Sequence, residues 1–184
     1  MGIHQPDNIY FEEGKKVHRI IQDHVARIKT DNSLKHILVK FPVVERVDFD
    51  PKCRFEFKFS DKYLMTGFYD GIDWENKRFL EIKSSSTLWS MGKFKNSIQR
   101  KIYALSNPVF KEAYLITCSR NPDDWKSQPP KTFKLPCTEE DREEARHWIK
   151  DGTRILEQGE FTKDLVDGKC VDPRCWWGDN CQFK

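Results

Sequence analysis

Between Tyr10 and Thr30 the apolar positions Val17, Ile20, Ile21, Val25 and Ile28 recur at helical spacing with polar residues opposite, which predicts an amphipathic helix. The period then changes. "HILVKFPVVERVDFD" (36–50) and "CRFEFKFS" (53–60) run or alternate apolar with β-branched and aromatic content, as strands do. "KYLMTGFYDGID" (62–73) and "KRFLEIKSS" (77–85) predict two more strands across a polar turn at Glu75 and Asn76. Helical spacing returns in "TLWSMGKFKNSIQRKIYALSN" (87–107), which follows a Ser/Thr-rich start signal and stops before Pro108. "VFKEAYLIT" reads as a strand, "NPDDWKSQPP" as a loop and "KTFKLP" as a short strand. "TEEDREEARHWIKDGTRILEQG" predicts a helix capped by Thr138 with acids in its first turn. Helix, strand cluster, helix, strand, strand, helix is an α/β order, and it predicts a mixed sheet with helices on both faces.

Composition narrows the class. The 184 residues suit one domain, expected over 1–165, with a Cys-rich tail over 166–184 packed on it. Hydrophobic content of 38% and aromatic content of 13% exclude a disordered chain. No run approaches the roughly 18 apolar residues of a membrane span, and "MGIHQPDNIYFEEGKK" lacks the apolar core of a secretory signal. Its Met-Gly start is a poor myristoylation match because Pro6 stands where Ser or Thr is needed. The expectation is a cytoplasmic protein without a membrane partner. A net charge of +3 is too small to identify a nucleic-acid partner, so its distribution matters more. From Thr87 to Lys111 the cations Lys93, Lys95, Arg100, Lys101 and Lys111 stand without a single acid. Such a helix suits a phosphate backbone, with Trp89 and Phe94 as candidate platforms for unpaired bases.

The candidate chemistry lies in "GFYDGIDWENKRFLEIKSSS" (67–86), where one apolar strand delivers Asp70 and the next delivers Glu81 and Lys83. Two carboxylates on neighbouring strands, joined by the Ile82 carbonyl, offer hard oxygen ligands for a divalent cation. Lys83 lies two residues beyond Glu81, so both side chains leave the strand on one face. There its ammonium can orient water or stabilise developing negative charge. The same three residues also suit an ordinary surface hairpin, so the neighbours decide. Gly67 marks a close approach of backbone or ligand, and Gln99 and Tyr103 share one helix face four residues apart.

"GKKVH", then Glu45, "GFYDGID", "FLEIKSSS" and "QRKIYAL" resemble, in order and spacing, the PD-(D/E)XK nucleases. The similarity is to the RecB-like exonuclease branch, which includes nuclease domains of recombination complexes, CRISPR-associated spacer-acquisition nucleases and phage nucleases. It covers about residues 14 to 105. It implies a restriction-endonuclease-like sheet flanked by helices, and Mg²⁺ or Mn²⁺ held by His18, Asp70, Glu81 and the Ile82 carbonyl. Lys83 would then be the catalytic lysine, with Gln99 and Tyr103 supporting the site or touching DNA beside Arg100 and Lys101. Tyr69 stands where the family's nominal motif has proline.

The tail "CVDPRCWWGDNCQFK" spaces Cys170, Cys175 and Cys181 as C-x4-C-x5-C. Many RecB-like nucleases hold a [4Fe–4S] cluster with a tail closer to C-x2-C-x5-C, so here the last gap fits and the first is longer. Cys53 is the candidate fourth ligand, although in the family that cysteine generally precedes the first helix. Zinc, with a fourth ligand such as His4, and a tail without metal are the other readings. The expected function is a metal-dependent deoxyribonuclease acting on DNA ends or single strands. The alternative is a non-catalytic nucleic-acid-binding subunit of a recombination or CRISPR-related complex. No P-loop is present, so unwinding would fall to a helicase partner.

Overall fold

A computed structural model describes residues 9–45 and 51–158. Helix α1 spans Ile9–Val25 and buries Val17, Ile21 and Val25, spaced one turn apart. It is shorter than its periodicity predicts, because Arg27 takes a left-handed backbone (φ 61°) and Ile28 is left half-exposed beyond it. Five strands form one sheet in the order β1-β4-β5-β6-β7. They are β1 (Val43–Val44), β4 (Gly71–Asp73), β5 (Arg78–Ser84), β6 (Glu112–Cys118) and β7 (Lys131–Pro136). Only β5 and β6 run parallel; the other neighbours are antiparallel. Strands β2 (Arg54–Lys58) and β3 (Leu64–Phe68) make a separate antiparallel hairpin.

The parallel pair needs a crossover, and helices α2 (Met91–Lys95) and α3 (Ile98–Ser106) supply it. One unbroken helix is expected here from spacing. Two serine caps divide it: Ser90 accepts from the Lys93 amide and Ser97 from the Arg100 amide. Helix α4 (Glu139–Gln158) starts as predicted, in a reciprocal box where Thr138 Oγ1 and Asp141 each accept the other's amide at 3.1 Å.

Alternation along β5 and β6 divides the core. Leu80, Ile82, Ile116 and Cys118 pack with α1 on one face, while Phe79, Ala113 and Leu115 pack with Tyr103 and Ala104 of α3 on the other. Helices thus flank both faces of a mixed sheet. The expected strand 36–50, of which 46–50 lie outside the described residues, contributes in contrast only two strand residues over 36–45. Ile37 and Phe41 are buried but their amides go to Leu34 and Val25 carbonyls, so the run fills the core as a loop. The expected strand 62–73 is also two strands: β3 pairs with β2, then the chain changes sheets and β4 pairs with β5. The change occurs at Tyr69 and Asp70. Gly67 is explained within the hairpin, since a Cβ there would lie 2.6 Å from the Phe55 ring directly opposite. No ligand is needed to account for it.

Candidate active site

The fork between the two sheets positions Asp70. The β4–β5 ladder ends at Gly71 opposite Leu80, and the next β5 amide on that side, Ile82 N–H, donates to Asp70 Oδ2 at 2.6 Å. A residue's N–H and C=O leave a strand on the same side, so the Ile82 carbonyl also faces the fork. Tyr69 donates its amide to the Cys53 carbonyl at 3.0 Å, a bond that proline could not make. Its ring is buried against Phe55, Phe79, Tyr103 and Phe110, and burial pushes its phenol up to about 12.

The first helix reaches the same point. His18 Nδ1 lies 3.4 Å from Asp70 Oδ1, and Gln22, one turn on, donates to the Asp70 carbonyl at 3.2 Å. The Glu45 amide donates to that carbonyl as well. Gln22 went unnoticed in the sequence, although its i+4 relation to His18 is the signal that could have found it. Gly14 lies against the end of β5, where a Cβ would make an ordinary contact 3.5 Å from Ser84 Oγ.

On β5, Glu81 is buried and forms an ion pair with Lys83. Its Oε2 finds no hydrogen-bond partner among the described residues. Burial and the charge of Asp70 push the Glu81 carboxyl up to about 7, against the pull of Lys83. Burial disfavours the His18 imidazolium, but the hydrogen bond and charge of Asp70, with Glu81 behind them, outweigh it and raise its pKa. Lys83 Nζ also donates to Gln99 Oε1 at 2.7 Å. Gln99 Nε2 donates to the Tyr103 hydroxyl at 2.8 Å, which donates to the Phe68 carbonyl at 2.7 Å. Burial, then Glu81 and Asp70, hold the Tyr103 phenol protonated far above its ordinary range. The chain of bonds fixes the amide orientation: a hydroxyl donor to Phe68 leaves the Tyr103 oxygen as acceptor, so Gln99 must present its carbonyl to Lys83.

Thus His18, Asp70, Glu81, Lys83, Gln99 and Tyr103 come together, and Ile82 faces them. Arg100 and Lys101 do not. Arg100 is 2% exposed and its guanidinium is bound to both Asp141 oxygens and to the Lys95 and Pro136 carbonyls. Lys101 is buried to 8% exposure and tied to Glu144 of α4. Both therefore join α3 to α4, and the expected phosphate-tracking role is corrected on that ground. Phe94 is buried too, which removes it as a base platform, while Trp89 stays half-exposed beside Lys83. Cys53 is buried at the start of the hairpin; Cys170, Cys175 and Cys181 lie outside the described residues, as does His4.

The donor set at the fork is hard: two carboxylates, an imidazole and a carbonyl, with one buried carboxylate oxygen unpartnered. Such donors fit Mg²⁺ or Mn²⁺. As they stand, with Glu81 turned to Lys83, no three His, Cys, Asp or Glu side chains among the described residues are gathered closely enough to hold an ion. No helix among those residues is long and apolar enough to cross a membrane. Comparison with family models, with curated proteins and with solved structures yields no match for this chain.

Proposed function

We propose that the chain is a metal-dependent deoxyribonuclease with a restriction-endonuclease-like fold of the RecB-like branch, acting on DNA ends or single strands. The observation that carries this reading is the convergence of Asp70, Glu81 and Lys83 at the point where the sheet's hydrogen bonding opens. A surface hairpin would leave these side chains solvated. Here Glu81 is buried with an unpartnered oxygen, and Lys83 is held by a three-bond relay.

His18, Asp70, Glu81 and the Ile82 carbonyl would hold the divalent cation. When bound, it supplies charge neutralisation at the phosphate and acidifies water. Lys83 then serves the reacting phosphate: released from Glu81, its ammonium orients the attacking water or stabilises the charge that develops in the transition state. Gln99 and Tyr103 keep that ammonium aimed, and Gln22 keeps Asp70 at the fork. A binding-only subunit would have no use for a lysine positioned through three hydrogen bonds, which is why catalysis is preferred.

The test uses end-labelled linear DNA and circular DNA, each with Mn²⁺ or Mg²⁺ and with excess EDTA. The expected result is metal-dependent loss of the linear substrate and survival of the duplex circle. Undiminished cleavage in EDTA would remove the metal mechanism. Intact DNA in every lane, from correctly folded protein, would leave the binding-subunit alternative.

A further inference from the structure

Beyond Lys83 the chain passes three serines, the first of which ends β5, and Trp89 returns to the neighbouring strand β6. Its anchor is specific. Lys83 pairs in register with Thr117 on β6, and the buried Thr117 hydroxyl accepts the Trp89 amide at 3.0 Å. The Trp89 backbone is thus fixed beside the strand position next to Lys83, its indole packs against the core cluster that includes Phe79 and Tyr103, and the Lys83 ammonium lies 5.6 Å from the ring centroid. The exposed Lys93 ammonium lies 4.5 Å from the same centroid.

We propose that Trp89 and Lys93 form a subsite for one unpaired nucleotide of single-stranded DNA, next to the phosphate handled at Lys83. The proposal deepens the nuclease reading and rests on it. A half-buried indole packed against the core offers a restrained π-face, and every base can stack on such a face. Lys93 rests on that face through a cation–π contact that is weak where solvent reaches it. A stacking base displaces its ammonium, whose flexible stem lets it turn to the nucleotide's phosphate. No other aromatic of this segment can do the same, because Phe94 is buried beneath Arg100. A base inside a duplex is already stacked on both sides and cannot use the indole, so the subsite selects single strands.

The test measures binding of a short 5′-labelled oligothymidylate by fluorescence anisotropy in EDTA, with a duplex of equal length beside it. Oligonucleotides with one base removed at successive positions are bound to the wild-type protein. One position is expected to lower affinity about 5- to 150-fold, the range of one lost base stack. Trp89→Ala should show the same loss on the intact strand, no further loss on the abasic one, and unchanged duplex binding. Trp89→Phe should keep most of the affinity. Lys93→Ala should reduce the slope of log affinity against log salt by about 0.7, one single-strand phosphate. A flat abasic profile with wild-type protein, or equal loss of duplex and single-strand binding in Trp89→Ala, would overturn the subsite. Because this experiment reads binding and the nuclease test reads cleavage, the two readings fail separately. A protein with this profile that never cuts DNA keeps the subsite and loses the nuclease, and one that cuts with a flat profile does the reverse.

Discussion

Gln99 and Arg100 are neighbours on α3, yet they serve two buried ionic sites of opposite character. Arg100 faces α4, where its guanidinium meets both oxygens of Asp141 and two backbone carbonyls. Asp141 in turn closes the capping box, and these partners hold its carboxyl below the ordinary range despite burial. Gln99 faces β5, where the Lys83 ammonium is shared between one Glu81 oxygen and one amide carbonyl. There the second Glu81 oxygen stays unpartnered among the described residues, and the carboxyl is pushed up to about 7. Both sites bury opposite charges. One satisfies its carboxylate and builds a joint between helices; the other leaves it under-satisfied, the condition in which a carboxylate gains most from a cation.

Substitutions should separate the two. Asp70→Ala removes a proposed metal ligand and the acceptor of the Ile82 amide, so calorimetric Mn²⁺ titration should show no binding and cleavage should be lost. Retained tight Mn²⁺ binding in that variant would move the metal away from the fork. At the joint, Arg100→Ala leaves Asp141 without its main partner and should cost about 3–5 kcal/mol in urea unfolding. Cleavage per folded molecule should stay at the wild-type rate. A fall in specific activity with little loss of stability would return Arg100 to the DNA interface.

Proton linkage sharpens the contrast. In EDTA, folded Glu81 keeps a proton that the unfolded chain releases near the ordinary 4.5, so stability falls as pH rises from about 4.5 to about 7. The raised pKa of His18 acts in the same direction: its contribution is complete below 6.5 and lost as pH rises through the folded value. Glu81→Gln should flatten the profile, gaining on the order of 2–3 kcal/mol relative to wild type between pH 5 and pH 8. Parallel profiles for the two proteins would show that Glu81 titrates normally. The smallest effect belongs to Lys101→Ala, because Glu144 is half-exposed and screened; a loss of about 1 kcal/mol or less is expected. A larger loss would show that solvent does not screen the pair and that Lys101 carries the joint beside Arg100.

The comparison also explains what could be read from residue order. Asp70 was legible as the acid that ends an apolar run, and Glu81 and Lys83 were legible as a pair because strand alternation fixes which side chains share a face. Gln99 and Tyr103 were legible because helical spacing does the same. The division of 62–73 into two strands was not, since Tyr69 and Asp70 change sheets inside a continuous apolar run whose only mark is the Asp70-Gly71 pair, a turn signal outweighed by the strand pattern around it. Run 36–45 misled for a related reason: apolar content signals burial, and burial here is achieved by a loop whose amides bond to α1 and to its own turn. Arg100 and Lys101 read as a solvated basic stripe because their partners, Asp141 and Glu144, lie about forty residues on. Charge segregation along a segment says nothing of long-range pairing. Trp89 was legible as a candidate base platform, together with Phe94, but its tie to Thr117 required the parallel register.

The central claim is that Lys83 acts on the reacting phosphate and binds no metal. It is tested most directly by the single-turnover cleavage rate of Lys83→Ala on end-labelled single-stranded DNA with saturating Mn²⁺. Loss of one preorganised electrostatic group predicts a fall on the order of a hundredfold or more, with Mn²⁺ affinity and the unfolding midpoint close to wild type. A near wild-type rate, with contaminating nucleases excluded by the inactivity of Asp70→Ala prepared in parallel, would contradict the assignment of this site.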